Sequence, residues 1–197
     1  MFLHHTVPYV MTRGSTNRLT RDHWADAALV VIGKSGVQAV AVEPIAVALG
    51  VTKGSFYWHF RTRRELVDAA LSRWEQRATA DIITELAPID DPLERLRALF
   101  AIAFLDTPED RIEDAILRAG GDPSVDAAVD RVNTQRLDYL VKTFRALGHA
   151  LPAARHRARI GYAALLGHRR LQASTTTRLS KTAVRQFGDE LCRALAE

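Results

Sequence analysis

Apolar residues along this chain recur at spacings of three and four, and no stretch alternates apolar with polar residues for long enough to make a useful strand. The pattern predicts helices joined by short turns. The first covers 20–33: Thr20 caps it, Asp22 sits in its first turn, and Trp24, Ala27, Ala28, Val31 and Ile32 share one face. Gly36 follows as a stop. Two short helices are expected at 42–49 and 53–60, separated by Leu49-Gly50-Val51-Thr52, where Gly50 can supply the positive φ of a tight turn. Thr62-Arg63-Arg64-Glu65 has the spacing of a capping box and opens a long helix over 63–87. After a break at Pro88, Asp90, Asp91 and Pro92, further helices are expected at 92–105, 108–119, 123–147, 152–173 and 181–196. Pro108, Gly120-Gly121-Asp122-Pro123, Gly148, Pro152 and the Ser/Thr run 174–177 punctuate them. The predicted fold is all-α with about nine helices, divided into a flexible extension (1–19), a compact N-terminal unit (20–67) and a larger C-terminal bundle (68–197).

A length of 197 residues allows that division, and 47% hydrophobic with 25% charged residues is ordinary for a soluble globular protein. No run approaches the roughly 18 apolar residues of a membrane helix. The opening MFLHHTVPYV has no basic region before its apolar part and reads as a disordered extension instead of a signal peptide. Met11 is a second candidate start, and His4-His5 reads as an adventitious pair. The single cysteine, Cys192, rules out an internal disulfide and fits a reducing, cytoplasmic setting. It is either a small apolar helix residue or a redox sensor.

Net charge is only +4, but its distribution is uneven. From Arg13 to Arg64 stand eight cations (Arg13, Arg18, Arg21, Lys34, Lys53, Arg61, Arg63, Arg64) against Asp22, Asp26 and Glu43, an excess of five. A basic N-terminal part suits an anionic partner or is simply a solvated face. The segment Ile45 to Phe60 separates the two. Ile45 and Leu49 are four apart, as are Phe56 and Phe60, so the four can pack two short helices together as a helix-turn-helix. Gly54, Ser55, Tyr57 and Trp58 then point outward, a face better suited to a DNA major groove than to a purely structural helix. Lys53 can reach a guanine edge or phosphate, and Thr52 and Ser55 can donate to phosphate or base. Tyr57 and His59 can anchor the backbone, and Trp58 can rest on sugar or a thymine methyl. The start of this helix attracts phosphate, and Arg63 can hold the next one.

These residues resemble the DNA-binding domain of the TetR family of bacterial regulators. The resemblance rests on Ile45-Ala46, Leu49-Gly50-Val51, Thr52, Lys53-Gly54-Ser55, Phe56, Tyr57, His59-Phe60, Arg63 and Leu66, with Arg21 and Ala27-Ala28 upstream, and covers about 20–67. It implies that Arg21, Thr52, Lys53, Gly54, Ser55, Tyr57, Trp58, His59 and Arg63 contact double-stranded operator DNA. It also implies a homodimer through the last two helices and a C-terminal pocket for a small-molecule effector. The expected function is a transcriptional repressor released from a palindromic site by its ligand; an activator or a regulator controlled by a protein partner is the alternative. Ala41 departs from the family, which favours Thr or Ser there. Pro44 sits in a first turn that tolerates it, and Arg61 stands where Pro is common.

The C-terminal part offers its own pattern. Val184, Phe187, Leu191 and Leu195 form a stripe suited to a dimer or to the subunit core. Ala153, Ala154, Ala158, Gly161, Ala163, Ala164 and Gly167 permit close helix approach. Phe100, Phe104, Leu117, Tyr139, Leu140, Phe144, Tyr162 and Leu166 are candidates either for an apolar cavity with Tyr hydroxyls as handles or for plain core. His168 lies beside Arg169 and Arg170 with no second ligand at metal-binding spacing. No cofactor or metal is expected, and no enzyme: catalytic and nucleotide-binding motifs are missing. Asp106, Glu109, Asp110 and Glu113 read as the acidic start of a helix.

Overall fold

A computed structural model describes residues 19–105, 107–173 and 176–197. The extension, with Met11, His4-His5, Arg13 and Arg18, lies outside the described residues, Leu19 excepted, as does Asp106.

The N-terminal unit is built from three helices. In α1 (Arg21–Ser35) the Thr20 N–H donates to His23 Nδ1 at 3.0 Å, and Trp24, Ala25, Ala27, Ala28, Leu29 and Ile32 are buried. Gly36 (φ +82°) turns the chain into a 3₁₀ turn, Val37–Ala39. Then come α2 (Val42–Leu49), a left-handed Gly50 (φ +71°) and α3 (Lys53–Phe56). This α3 is shorter than the expected 53–60. Gly54 and the aromatic run Phe56-Tyr57-Trp58 are weak helix formers. Beyond Phe56 the bonding tightens, with the His59 and Phe60 N–H groups both donating to the Phe56 carbonyl at 2.9 Å.

The expected helix over 63–87 is one rod with a flaw in it: α4 (Arg63–Glu75), a π-helical turn (Gln76–Ala80) and α5 (Asp81–Leu86). Thr62 accepts from the Glu65 N–H (3.1 Å), but the Glu65 carboxylate turns back to the Arg61 N–H (2.9 Å) instead of to Thr62, so the box closes one residue early. The bundle continues with α6 (Pro92–Ala103), α7 (Pro108–Arg118), α8 (Pro123–Ala146), α9 (Leu151–Gln172) and α10 (Lys181–Ala196). Asp91, Asp122 and Ser180 cap α6, α8 and α10 through their side chains. Counting the α4–α5 rod once, the described residues form nine helices and no strand, as the apolar pattern predicts.

Two cores organise these helices. The first joins the N-terminal unit to Leu71 and Trp74 of α4, Ala115 and Ile116 of α7, and Val125, Ala128 and Val132 of α8. Packing therefore runs across the boundary expected at 67. Helix α1 lies against both α4 and α7. The approach to α7 is close enough that a Cβ on Gly33 would come within 2.9 Å of Ile112 Cγ1. Across the α1–α4 face, Asp26 accepts from Arg73 (3.0 Å) and Arg77 (2.7 Å).

The second core gathers Leu96, Phe100, Phe104, Leu140, Phe144, Ala158, Tyr162, Leu165, Val184, Cys192 and Leu195. Burial raises the Cys192 thiol pKa, which keeps it protonated in the manner of an apolar packing residue. Of the α10 stripe, Val184 and Leu195 are buried in the subunit's own core and Leu191 is half-buried, leaving Phe187 exposed. The small residues of α9 divide likewise: Ala154, Ala158 and Gly161 face inward, Ala163 and Gly167 outward.

Candidate nucleic-acid interface and the cavity behind it

Residues Ile45, Phe56 and Phe60 are buried and Leu49 is half-buried, so the two short helices cross on the four predicted side chains. Phe56 meets Trp24 edge-on at 5.5 Å and stacks with Phe60 at 5.5 Å, which fixes the turn against α1. Opposite this core, Thr52, Lys53 and Gly54 are exposed, Ser55 and His59 half-exposed, and Tyr57 and Trp58 are 60% and 87% exposed. Two adjacent aromatics this open to water are unusual where packing alone sets the surface. Val47 of α2 is a further exposed apolar residue of this unit, at 78%. Sequence reasoning missed it, although its place off the Ile45/Leu49 face was the available signal.

The cations near this face are not equally free. The Arg21 guanidinium lies over the Phe60 ring at 4.5 Å and donates to the His59 carbonyl (3.3 Å), pinning the end of the recognition turn. Lys53 pairs with Glu43 of α2 at 2.5 Å, both side chains being more than half exposed. The hydrogen bond between them raises the lysine's pKa and lowers the carboxylate's. Arg63, expected to hold a phosphate, is engaged differently. Its Nε donates to the Val40 carbonyl (2.6 Å) and its Nη2 to the Val37 carbonyl (2.7 Å). The guanidinium closes the 3₁₀ turn that leads into α2, whose N-cap Ala41 has no side-chain acceptor. Any phosphate contact is left to the edge those two carbonyls do not use.

Behind the N-terminal unit, a cavity of about 70 Å³ opens between the α4–α5 rod, α6, α8 and α9. Of the expected lining residues, Phe100, Phe104, Tyr139, Leu140 and Tyr162 are there. Leu117, Phe144 and Leu166 are not. Leu117 is 43% exposed and Leu166 37% exposed, each beside a residue (Ile116, Leu165) that takes the inward position, and Phe144 is fully buried in the core away from the opening. Periodicity marks a helix's apolar face but not which member of it borders a void.

The cavity's polar wall was not foreseen. Arg136 of α8 gives both Nη groups to Glu113 of α7 (2.7 and 3.0 Å), its Nη2 also to the Ala78 carbonyl (3.1 Å), and its Nε to Thr79 Oγ1 (3.1 Å). Ala78 and Thr79 belong to the π turn, so the flaw in the rod is where the arginine docks. Arg169 of α9 pairs with Asp110 (2.9 Å) and Glu113 (2.8 Å). Tyr162 donates to Asn133 Oδ1 (2.7 Å). Burial works to raise the Glu113 carboxyl, but Arg136 and Arg169 outweigh it and hold its pKa down at about 2. For Asp110 burial wins over Arg169, and its pKa is raised. The signal lay in the sequence: Ala128, Val132, Arg136, Leu140 and Phe144 recur every fourth residue, so Arg136 interrupts an apolar stripe.

Residues 25–70 match the family described as "Bacterial regulatory proteins, tetR family". The match takes in most of the N-terminal unit and the first half of α4, about a quarter of the chain. The chain is 33% identical over 87 residues to the HTH-type transcriptional regulator SrpR of Pseudomonas putida, which takes in 44% of the chain and 38% of that protein. To the HTH-type transcriptional repressor KstR2 of Mycobacterium tuberculosis it is 33% identical over 87 residues, 43% of the chain and 42% of the relative. The match thus spans less than half the length of either protein. Its fold is shared over 88% of its length, and 95% of the neighbour's, with a protein from Saccharomonospora viridis crystallised with choline and described as a transcriptional regulator (TM-score 0.72, 18% identity).

His168 is buried between Phe104 (5.1 Å) and Phe187 (5.5 Å, stacked), and burial lowers its pKa. Among the described residues no cluster of three or more His, Cys, Asp or Glu could hold a metal ion, and no helix is long and apolar enough to cross a membrane. On the outer side of α9 and α10, Ile160, Leu166, Leu171 and Phe187 are exposed.

Proposed function

We propose that the chain is a cytoplasmic, sequence-specific DNA-binding regulator of transcription, acting as a homodimeric repressor that a small molecule releases from a palindromic operator. The observation that carries the reading is the recognition turn itself: Tyr57 and Trp58 stand open to solvent while Phe56 and Phe60 anchor the same turn in the core. Thr52, Lys53, Gly54, Ser55, Tyr57, Trp58 and His59 form the reading face, with Arg21 positioning it. Ile160, Leu166, Leu171 and Phe187 supply an apolar surface for a second copy through α9 and α10. Two such heads would enter successive major grooves about 34–36 Å apart. The charged groups at the cavity's end pair with one another, an arrangement for binding and not for turnover.

The test is a gel-shift assay of the full chain on the DNA upstream of its own gene, with a dimer complex as the expected result. Tyr57→Ala should weaken it by about tenfold or more, and added salt should weaken it steeply. Absence of specific binding to any neighbouring promoter overturns the reading. A second reading, a regulator or activator controlled by a protein partner, draws support from the cavity's size: about 70 Å³ is well short of the 300–1,000 Å³ common for ligand pockets. Operator binding that no small molecule relieves would favour it.

A further inference from the structure

The walls of the cavity are unbalanced in their hydrogen bonding. On the accepting side the groups near its charged end are occupied. Both Glu113 oxygens take bonds from Arg136, the Ala78 carbonyl and Thr79 Oγ1 accept from the same arginine, and Asn133 Oδ1 accepts from Tyr162. On the donating side, groups are left over. The Arg169 Nε–H is buried without a partner, and its Nη1, although 2.8 Å from Glu113, lacks hydrogen-bonding alignment. The Tyr139 hydroxyl is likewise buried without a partner. Arg169 and Tyr139 both line the cavity, and the remaining lining is mostly aliphatic and aromatic, including Ile82, Leu99 and Phe100. Buried polar groups without partners are uncommon, because an unsatisfied group loses its hydrogen bonds to water and gains none in return.

A guest that satisfies these atoms must bring acceptors and no donors, and must be otherwise apolar. A guanidinium that is always charged favours an anionic acceptor over a neutral one. Size limits it further: at about 10–15 Å³ per water-sized group, 70 Å³ holds roughly five to seven such groups. We propose that the cavity binds a short-chain organic carboxylate of about four or five carbons, its oxygens accepting from Arg169 and Tyr139 and its hydrocarbon chain lying against Ile82, Leu99 and Phe100. Burial raises the Tyr139 pKa, so the hydroxyl stays a donor at neutral pH. The site is that of the effector in the function proposed above and takes its regulatory meaning from that reading; the binding itself does not depend on it.

The experiment is calorimetric titration of the full chain, without DNA, with sodium acetate, butyrate, pentanoate and octanoate, and with butyramide and choline chloride as controls. Butyrate and pentanoate should bind with the highest affinity, acetate and octanoate more weakly, and butyramide and choline not measurably. Tyr139→Phe removes one oxygen from a position that keeps its ring packing, and should weaken butyrate at least tenfold, the loss expected for a hydrogen bond to a charged group. Arg169→Gln should abolish butyrate binding; should that variant fail to fold, Tyr139→Phe alone decides. Choline or butyramide binding as tightly as butyrate, unchanged butyrate affinity in Tyr139→Phe, or no carboxylate binding at millimolar concentration each overturns the assignment. A gel shift without ligand tests the regulator reading separately, so a chain that binds butyrate but no operator loses that reading and keeps this one.

Discussion

In the reading head the side chains that face outward are held in place by an apolar cluster behind them, whereas at the end of the cavity the charged side chains are themselves the interior. Tyr57 meets Phe56 edge-on at 5.2 Å and Trp58 is 87% exposed, so both could be removed without opening the cluster of Phe56, Phe60 and Trp24. Glu113, Arg136 and Arg169 have no such backing: Glu113 is 4% exposed, and its carboxylate pairs with both guanidiniums, sharing Arg169 with Asp110. The head therefore separates recognition from stability, and the cluster joins them. An interior held by charge can respond to a charged guest in a way that an interior of leucines cannot.

The sharpest way to break this contrast is to compare Glu113→Ala with Tyr57→Ala. Removing Glu113 leaves Arg136 buried without its anion and Arg169 with Asp110 alone, and losing one partner of a buried pair costs about 3–5 kcal/mol. Removing the largely exposed Tyr57 ring should leave stability within about 0.5 kcal/mol. Denaturant unfolding of both variants checks the pair, and similar midpoints would show that the two regions do not differ as described. Acid tests the same cluster. Glu113 titrates at about 2 in the folded chain against 4.5 ordinarily, so its contribution is complete above about pH 5 and disappears as pH falls towards 2. The lowered value corresponds to about 3 kcal/mol. Asp110, raised by burial, acts in the opposite sense and offsets part of the loss. Unfolding free energy followed from pH 6 to pH 3 should fall, and in Glu113→Gln, if it folds, the slope should flatten.

The same contrast governs what the sequence could reveal. The head is local: Ile45, Leu49, Phe56 and Phe60 lie within sixteen residues, so periodicity and turn chemistry suffice to place them. Boundaries followed for α2 and α10, and failed for α3, where Gly54 and three consecutive aromatics shorten the helix. The charged cluster is assembled from α4–α5, α7, α8 and α9, and its paired residues Asp110 and Arg169 are 59 positions apart. No window on the chain contains it. Arg136 on an apolar stripe announced that something buried must receive it, but not that the receiver was Glu113, which reads locally as an ordinary acid near the start of a helix. Leu117 and Leu166 failed for a related reason, since adjacent apolar residues compete for one inward position. Arg63 shows the limit from the other side: its bonds to Val37 and Val40 depend on a 3₁₀ turn that no pattern in those residues foretold.

On the recognition side, Tyr57→Ala should reduce operator affinity by about tenfold or more, the range of one good groove contact, in the gel shift that defines the site. Ala41→Ser should then act on stability more than on affinity. It places an acceptor at the unsatisfied start of α2, and such caps are worth about 1 kcal/mol. A higher unfolding midpoint is expected. No change would mean that Arg63, by fixing the preceding turn, already supplies what the cap would add.

The smallest effect concerns Glu43. Its carboxylate lies on α2, beside the reading face, and holds the Lys53 ammonium in an exposed pair that contributes little to the fold. Glu43→Gln should leave the melting temperature unchanged while removing one negative charge from the face that approaches phosphate. Lys53, released, can then neutralise one phosphate more. With two heads per dimer, the dependence of log affinity on log salt should steepen by about 1.8, with tighter operator binding at low salt and little difference at high salt. If affinity falls instead, Glu43 is aiming Lys53 at its target and not restraining it, and the reading head would share with the charged cluster the property of needing its internal ion pair.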